Sequence, residues 1–147
     1  MLSQTTISWL KANCYDVDNL NVVGKYGNSA LMKAVREANS EVTRELIQAG
    51  VDLELKNIDG NSAIWNACFG GDFTCVELLV KAGIDVNCQN DNGVSALMYC
   101  ASSGKEAMTR LLLECGADSS ITNLDDFKAI DLASTPTIYK MLKASAS

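Results

Sequence analysis

The sequence predicts an all-α solenoid of stacked helix-turn-helix units joined by β-hairpin-like turns. Three observations predict it. Glycines recur 33 residues apart, at Gly27, Gly60 and Gly93 and again at Gly50, Gly83 and Gly116. Asp52, Asp85 and Asp118 keep the same step, as do Asn57, Asn90 and Asn123. Whole words return in that phase: the stretch from Gly27 to Met32 (GNSALM) reappears from Gly60 to Trp65 (GNSAIW) and from Gly93 to Met98 (GVSALM). Periods of roughly 20–50 residues mark repeat architectures, in which each unit buries its neighbour's apolar face.

The elements follow in order. Thr5 to Cys14 places Ile7, Leu10 and Cys14 at helical spacing with Trp9 beside them, giving an N-terminal cap over residues 1–23. Asp16 to Gly27 spans 11 residues against 8 from Asp52 to Gly60, so the first loop is three residues longer. Full repeats cover 24–56, 57–89 and 90–122. Each opens on a tight turn, clearest at Asp59-Gly60 and Asn92-Gly93, where glycine tolerates positive φ. Ser29, Ser62 and Ser95 cap a first helix. Small residues inside it (Ala34 and Val35, Ala67 and Cys68, Cys100 and Ala101) let neighbouring helices approach closely. A second helix carries Val42 and Leu46, Val76 and Leu79, Met108 and Leu112 on one face, and Gly50, Gly83 and Gly116 end it in the left-handed conformation. Valine at Gly83 is therefore expected to be strongly destabilising. Asn61, read as variable and exposed, is expected to accept alanine. Residues 123–147 form a C-terminal partial repeat: Asp126 takes the turn-glycine position, Ala129 to Ala133 begins a first helix, and Pro136 opens a last helix ending near Lys143. The whole of 1–147 is read as a single domain.

This pattern resembles the ankyrin-repeat family over about residues 24 to 134, because period, turn glycines, helix-ending glycines and the Gly-x-Asp word agree together. Tyr15-Asp16-Val17-Asp18 echoes the family's Ala-Asp-Val-Asn word. The family's Thr-Pro-Leu-His word stands here as Ser29-Ala30-Leu31-Met32, Ser62-Ala63-Ile64-Trp65 and Ser95-Ala96-Leu97-Met98, without the proline that pre-organises the first turn. Glu45 occupies a position the family usually fills with an apolar residue.

Composition narrows the function. A chain of 147 residues can bury roughly 68–70% of its unfolded surface without a metal or disulfide to help it. The net charge is −6 and cations are scattered singly, which argues against nucleic acid and anionic membrane as partners. No basic leader and no apolar run of spanning length is present, so the chain is expected to be soluble and cytoplasmic. Six cysteines lack any CxxC pair and histidine is absent, which leaves no metal-ligand spacing and no histidine-activated nucleophile. The thiols are read as alanine-like core residues in a reducing compartment. No Gly-rich phosphate loop occurs, since Gly70-Gly71 falls between two helices of one repeat. Neither enzyme activity, cofactor nor small-molecule substrate is expected.

The resemblance implies that partners lie against the turn tips and the first-helix face, which together make a concave groove. By repeat phase those positions are Lys25, Tyr26, Asn28, Arg36 and Glu37; then Ile58, Asp59, Asn61, Phe69 and Gly70; then Asp91, Asn92, Val94, Ser102 and Ser103; and Leu124, Asp125 and Phe127 in the cap. Residues apolar without a framework reason are the informative ones. Ile58, Phe69, Val94 and Leu124 are of that kind, and Trp65 stands where the family has histidine, with Tyr99 one position further along its own helix. The candidate partner-binding set is Tyr26, Arg36, Ile58, Asp59, Asn61, Trp65, Phe69, Asp91, Asn92, Val94, Tyr99, Leu124 and Phe127, centred on Phe69 with Ile58, Trp65 and Val94 in support. The competing reading packs Trp65 and Tyr99 between repeats as enlarged core. The chain is thus expected to be an adaptor or inhibitor, monomeric alone, that holds a partner protein in its groove. The alternative is a scaffold or self-associating subunit using an end face, which exposed apolar residues such as Trp9, Ile138 and Met141 would favour.

Overall fold

The structure, a computed structural model, describes residues 1–146. Among these are nine α-helices, one 3-10 turn, and a lone antiparallel bridge between Thr122 and Lys128 in place of any sheet. The chain divides into two compact units, Met1–Ile84 and Asp85–Ser147.

The N-terminal unit holds α1 (Gln4–Ala12), a 3-10 turn (Lys25–Gly27), α2 (Ala30–Arg36), α3 (Ser40–Gln48), α4 (Ala63–Gly70) and α5 (Phe73–Lys81). Helices α2 and α3 pair within one repeat and α4 and α5 within the next. One layer is α2 against α4; the other runs α1, α3, α5. Leu10, Leu31, Met32, Leu46, Ile64 and Leu79 are fully buried between the layers, each contributing roughly 1.5–3 kcal/mol relative to exposure. Ala34, Ala67 and Cys68 fill the close approach of α2 to α4 with no exposed surface. The C-terminal unit repeats this plan with α6 (Ala96–Ser102), α7 (Glu106–Glu114), α8 (Ala129–Leu132) and α9 (Pro136–Ser145), α6 lying on α8 and α7 on α9. Leu97, Met98, Leu112, Ile138 and Leu142 form its core.

The periodic asparagines organise the turns. Asn57 Oδ1 accepts from the N–H of Asp59 and of Asn61, both at 3.0 Å. Asn90 does the same for Asn92 and Val94 at 2.9 Å, and Asn123 for Asp125 and Phe127 at 2.9 and 3.0 Å. Each side chain satisfies two backbone donors that a four-residue turn would otherwise leave open. The turns also pair: the Ile58 N–H donates to the Tyr26 carbonyl at 2.9 Å, and the Leu124 N–H to the Asn92 carbonyl at 3.1 Å. That pairing brings Gly27 against Ile58 and Asn57, where a Cβ would lie 3.2 Å from backbone. Asp126, in the last turn, takes the positive φ its glycine counterparts take, 66°. Aspartate, with its short polar side chain, tolerates that region better than most residues.

Three expectations need correction. Asn61 is not exposed but 6% accessible: it sits at the base of the turn, its N–H on Asn57 and its carbonyl accepting from the Asn57 N–H at 3.0 Å. Ile58 and Asp59, not Asn61, form the tip. Alanine at 61 would keep both backbone bonds, and it is the burial of the Asn61 side chain that makes Asn61→Ala no longer a neutral change. Ser62 is the N-cap of α4 yet makes no side-chain capping bond, whereas Ser29 and Ser95 accept from Met32 and Met98 N–H at 3.2 Å. Cys14 does not continue α1: the helix ends at Ala12, and Cys14 turns the chain with φ 64° and is exposed.

Glu45 has a physical reason to depart from an apolar consensus. Its carboxylate accepts from the Ser3 N–H at 2.6 Å and from Ser3 Oγ at 2.7 Å, pinning the start of α1 to α3. Those bonds, backbone first, hold its pKa below the usual carboxylate value. The tether is therefore intact above the ordinary carboxylate pKa and is lost as pH falls through the lowered one.

A further series ends the first helices at Ala38, Gly71 and Gly104, with φ of 59°, 76° and 74°. Only Ala38 has a Cβ there, which costs roughly 1–2 kcal/mol. Ala38→Gly is expected to raise stability by about 1 kcal/mol, net of glycine's greater unfolded-state entropy. An unchanged or lowered thermal midpoint would show that Ala38 is not strained.

Candidate functional site

Arg36 and Phe69 occupy one repeat position, 33 residues apart, at the C-terminal ends of α2 and α4. Stacking α4 on α2 therefore sets them side by side. The Arg36 guanidinium lies over the Phe69 ring, 4.0 Å from its centroid. Phe69 in turn stacks on Trp65 one helical turn earlier, at 6.0 Å between centroids and 13° between planes. The result is a column of guanidinium, phenyl and indole along the first-helix layer. Phe69 is 44% exposed and Trp65 half-buried. A second hold on Arg36 comes from Asn66, whose Oδ1 accepts from Nη1 at 3.4 Å. Asn66 is itself buried, its amide donating to the Ser62 carbonyl at 3.0 Å.

Beside this column runs a groove of about 940 Å³, bounded by Tyr15, Lys25, Tyr26, Met32, Lys33, Arg36, Ile58, Asp59 and Asn66 among others. Tyr26 and Ile58 stand at its rim, 62% and 68% exposed, held together by the backbone bond between their turns. Asn57 and Asn28 tie the same turns through their side chains at 3.0 Å. The far wall is held by hydrogen bonds and ring stacking. Tyr15 OH donates to the Asn28 carbonyl at 3.1 Å, with the Ser29 carbonyl at 3.3 Å, and Tyr15 stacks on Trp9. Burial, with Glu37 nearby, raises the Tyr15 pKa, so the phenol stays a donor. Trp9 Nε1 donates to Glu37 Oε1 at 3.1 Å, and Glu37 pairs with Lys33 at 3.0 Å.

Of the candidates named from sequence, the N-terminal unit brings Tyr26, Arg36, Ile58 and Asp59 into one groove and Arg36, Trp65 and Phe69 into one column. Asn61 stands apart from both, buried in its turn. In the C-terminal unit Asp91 and Asn92 are exposed at a turn tip and Val94 is half-buried. Tyr99 is half-buried beneath the Lys105 ammonium, 6.0 Å away. Leu124 and Phe127 are exposed at 73% and 48%. Asn66 and Lys33 were missed. They share the repeat position of Tyr99, and the signal for Asn66 was a lone amide within an otherwise apolar helix.

Among the described residues no three His, Cys, Asp or Glu side chains converge as metal ligands. Burial, then a hydrogen bond to Asp72, pushes the Cys75 thiol up to about 12, which makes it an inert core group. No helix among the described residues is long and apolar enough to cross a membrane. On the terminal helices Ile138 is fully buried and Tyr139 is exposed, while Trp9 and Met141 are partly accessible. The family description ankyrin repeats, in three copies, matches residues 31–123. No curated protein matches the chain.

Proposed function

The chain belongs to the ankyrin-repeat family, whose repeats generally mediate protein–protein interaction and are typically non-catalytic, and from that premise we propose that it is a cytoplasmic adaptor or inhibitor that holds a partner protein in its concave groove. The observation that supports this reading best is the column of exposed Arg36 and Phe69 on half-buried Trp65, beside the exposed rim of Tyr26 and Ile58. Aromatic and arginine side chains in a preformed depression are the usual anchors of an interface. Asp59 at the tip belongs to this proposed surface, and Asp91, Asn92, Val94, Tyr99, Leu124 and Phe127 are proposed partner contacts within the C-terminal unit. The 33-residue phase over about residues 24–134 supports reading 1–147 as one domain with a cap at each end, proposed to be monomeric alone. Burial of Ile138 counts against the end-face alternative, which Trp9 and Met141, both partly accessible, still leave to oligomeric state to decide.

Phe69→Ala tests the reading. Binding of a partner recovered with the wild-type chain is expected to weaken by roughly 2 kcal/mol, about 30-fold. Stability falls less, by about 1 kcal/mol, because Phe69 gives up its stacking on Trp65 and the arginine above it. That is more than a wholly exposed side chain would lose. Undiminished binding with both Phe69 and Ile58 truncated would move the interface elsewhere.

A further inference from the structure

The groove is electrically unlike the chain that forms it. The protein carries −6, yet the groove is lined by Lys25, Lys33 and Arg36 against a single lining carboxylate, Asp59. Lys33 is neutralised by Glu37. Arg36 and Lys25 have no carboxylate at ion-pair distance among the described residues. Arg36 is also fixed in place: one face lies on Phe69 and one N–H reaches Asn66. A guanidinium has five N–H donors in a planar fork, so most of the donor capacity of this groove-lining arginine is not taken up by Asn66. Holding the fork in advance lowers the entropy lost when a carboxylate takes two of those donors. Next to it, Tyr26 and Ile58 present apolar surface from two turns joined backbone to backbone.

We propose that this groove takes an acidic segment of the partner protein, with a carboxylate on the Arg36 fork and a neighbouring aliphatic or aromatic side chain between Tyr26 and Ile58. This rests on the groove being the docking surface, and adds the chemistry of what docks. A short acidic segment suits the charge pattern better than a polynucleotide. Charges separated by more than about 8 Å are largely screened at physiological salt, so a short segment feels the local cations. A nucleic acid would run on across the acidic remainder of the chain and lacks the extended basic track it needs.

A displayed library of random short peptides, selected on the full chain, tests this. Enriched peptides are expected to be acidic, with Asp or Glu next to an aliphatic or aromatic residue. A fluorescein-labelled copy of an enriched peptide should lose at least about tenfold in affinity on Arg36→Glu, on replacement of its own carboxylates by amides, and on raising salt. Lys25→Glu should weaken it several-fold, and Lys81→Glu, the same charge change on exposed α5, should not. Selection on the Arg36→Glu chain, with its helical circular dichroism retained, should enrich basic peptides that the Lys81→Glu chain does not enrich. Arg36→Gln, with helical circular dichroism retained, is the second check. Neutral or basic peptides from the wild-type selection, no enrichment at all, amide copies that bind as well, or a single-stranded RNA oligonucleotide that binds more tightly and is lost on Arg36→Glu would each overturn the proposal. Neutral peptides that are lost on Phe69→Ala would leave the docking groove standing. Peptides indifferent to Phe69→Ala, Ile58→Asp and Arg36→Glu alike would remove both.

Discussion

Gly93→Val is expected to destabilise the protein by roughly 4 kcal/mol, in the range reached only by severe single changes. Two costs combine at Gly93. Its φ is 76°, which charges any side chain about 1–2 kcal/mol and a β-branched one more. A Cβ there would also lie 2.8 Å from the Leu124 nitrogen and 3.0 Å from the Asn123 Cα. Those are backbone atoms of the neighbouring turn, held by the Leu124 N–H bond to Asn92, so they can recede only by breaking the pairing. Gly83→Val separates the two costs. Gly83 has φ 97° but nothing within 4 Å of a Cβ, so this variant should lose only about 2 kcal/mol. Urea denaturation of the pair decides it. Equal losses would show that turn pairing contributes little, and no loss at Gly83 would show that the helix-ending conformation is unstrained.

Gly70→Ala is expected to cost about 3 kcal/mol, an overpacking penalty at the upper end of its usual range. It should also disable the groove. The Gly70 Cβ would stand 2.6 Å from the Val35 carbonyl oxygen and 2.7 Å from that of Arg36. The C-terminal end of α4 must then move away from α2. Phe69, the preceding residue, moves with it and leaves the Arg36 guanidinium. Gly71→Ala is the control: its φ is 76° and its surroundings are open, so it should lose about 1 kcal/mol and keep partner affinity. A Gly70→Ala protein with wild-type stability would mean that α2 and α4 do not pack as closely as described.

The repeat phase was legible because it is written in backbone requirements. Positive-φ glycines and turn asparagines recur wherever the chain makes the same turn. Even Asp126, which breaks the glycine series, adopts the series' conformation. The column was legible by half. Arg36 and Phe69 share a phase, so their adjacency follows from stacking. The grip of Asn66 on Arg36 depends on side-chain reach across two helices, which periodicity does not encode. Gly70 was equally opaque. Its counterparts at that phase are Glu37 and Ser103, so nothing in the pattern asks for glycine; only the distance between α2 and α4 does. Asn61 was misread because the phase fixed its position but not which turn residue forms the tip. The Asn57 side chain draws residue 61 inward and leaves residues 58 and 59 outermost. Glu45 was visible only as a departure, since its partner, Ser3, lies outside the periodic region.

The central claim is that partners are held on the groove side of the first-helix layer and not on the second-helix face. Site-specific photocrosslinking tests it most directly, with a benzophenone amino acid placed at position 69 in one chain and at position 77, exposed on α5, in another. Each is irradiated in a lysate of the protein's own cells. The account predicts a discrete adduct from position 69, competed by excess unlabelled chain, and none from position 77. An adduct of the same kind from position 77, with position 69 silent, would contradict it.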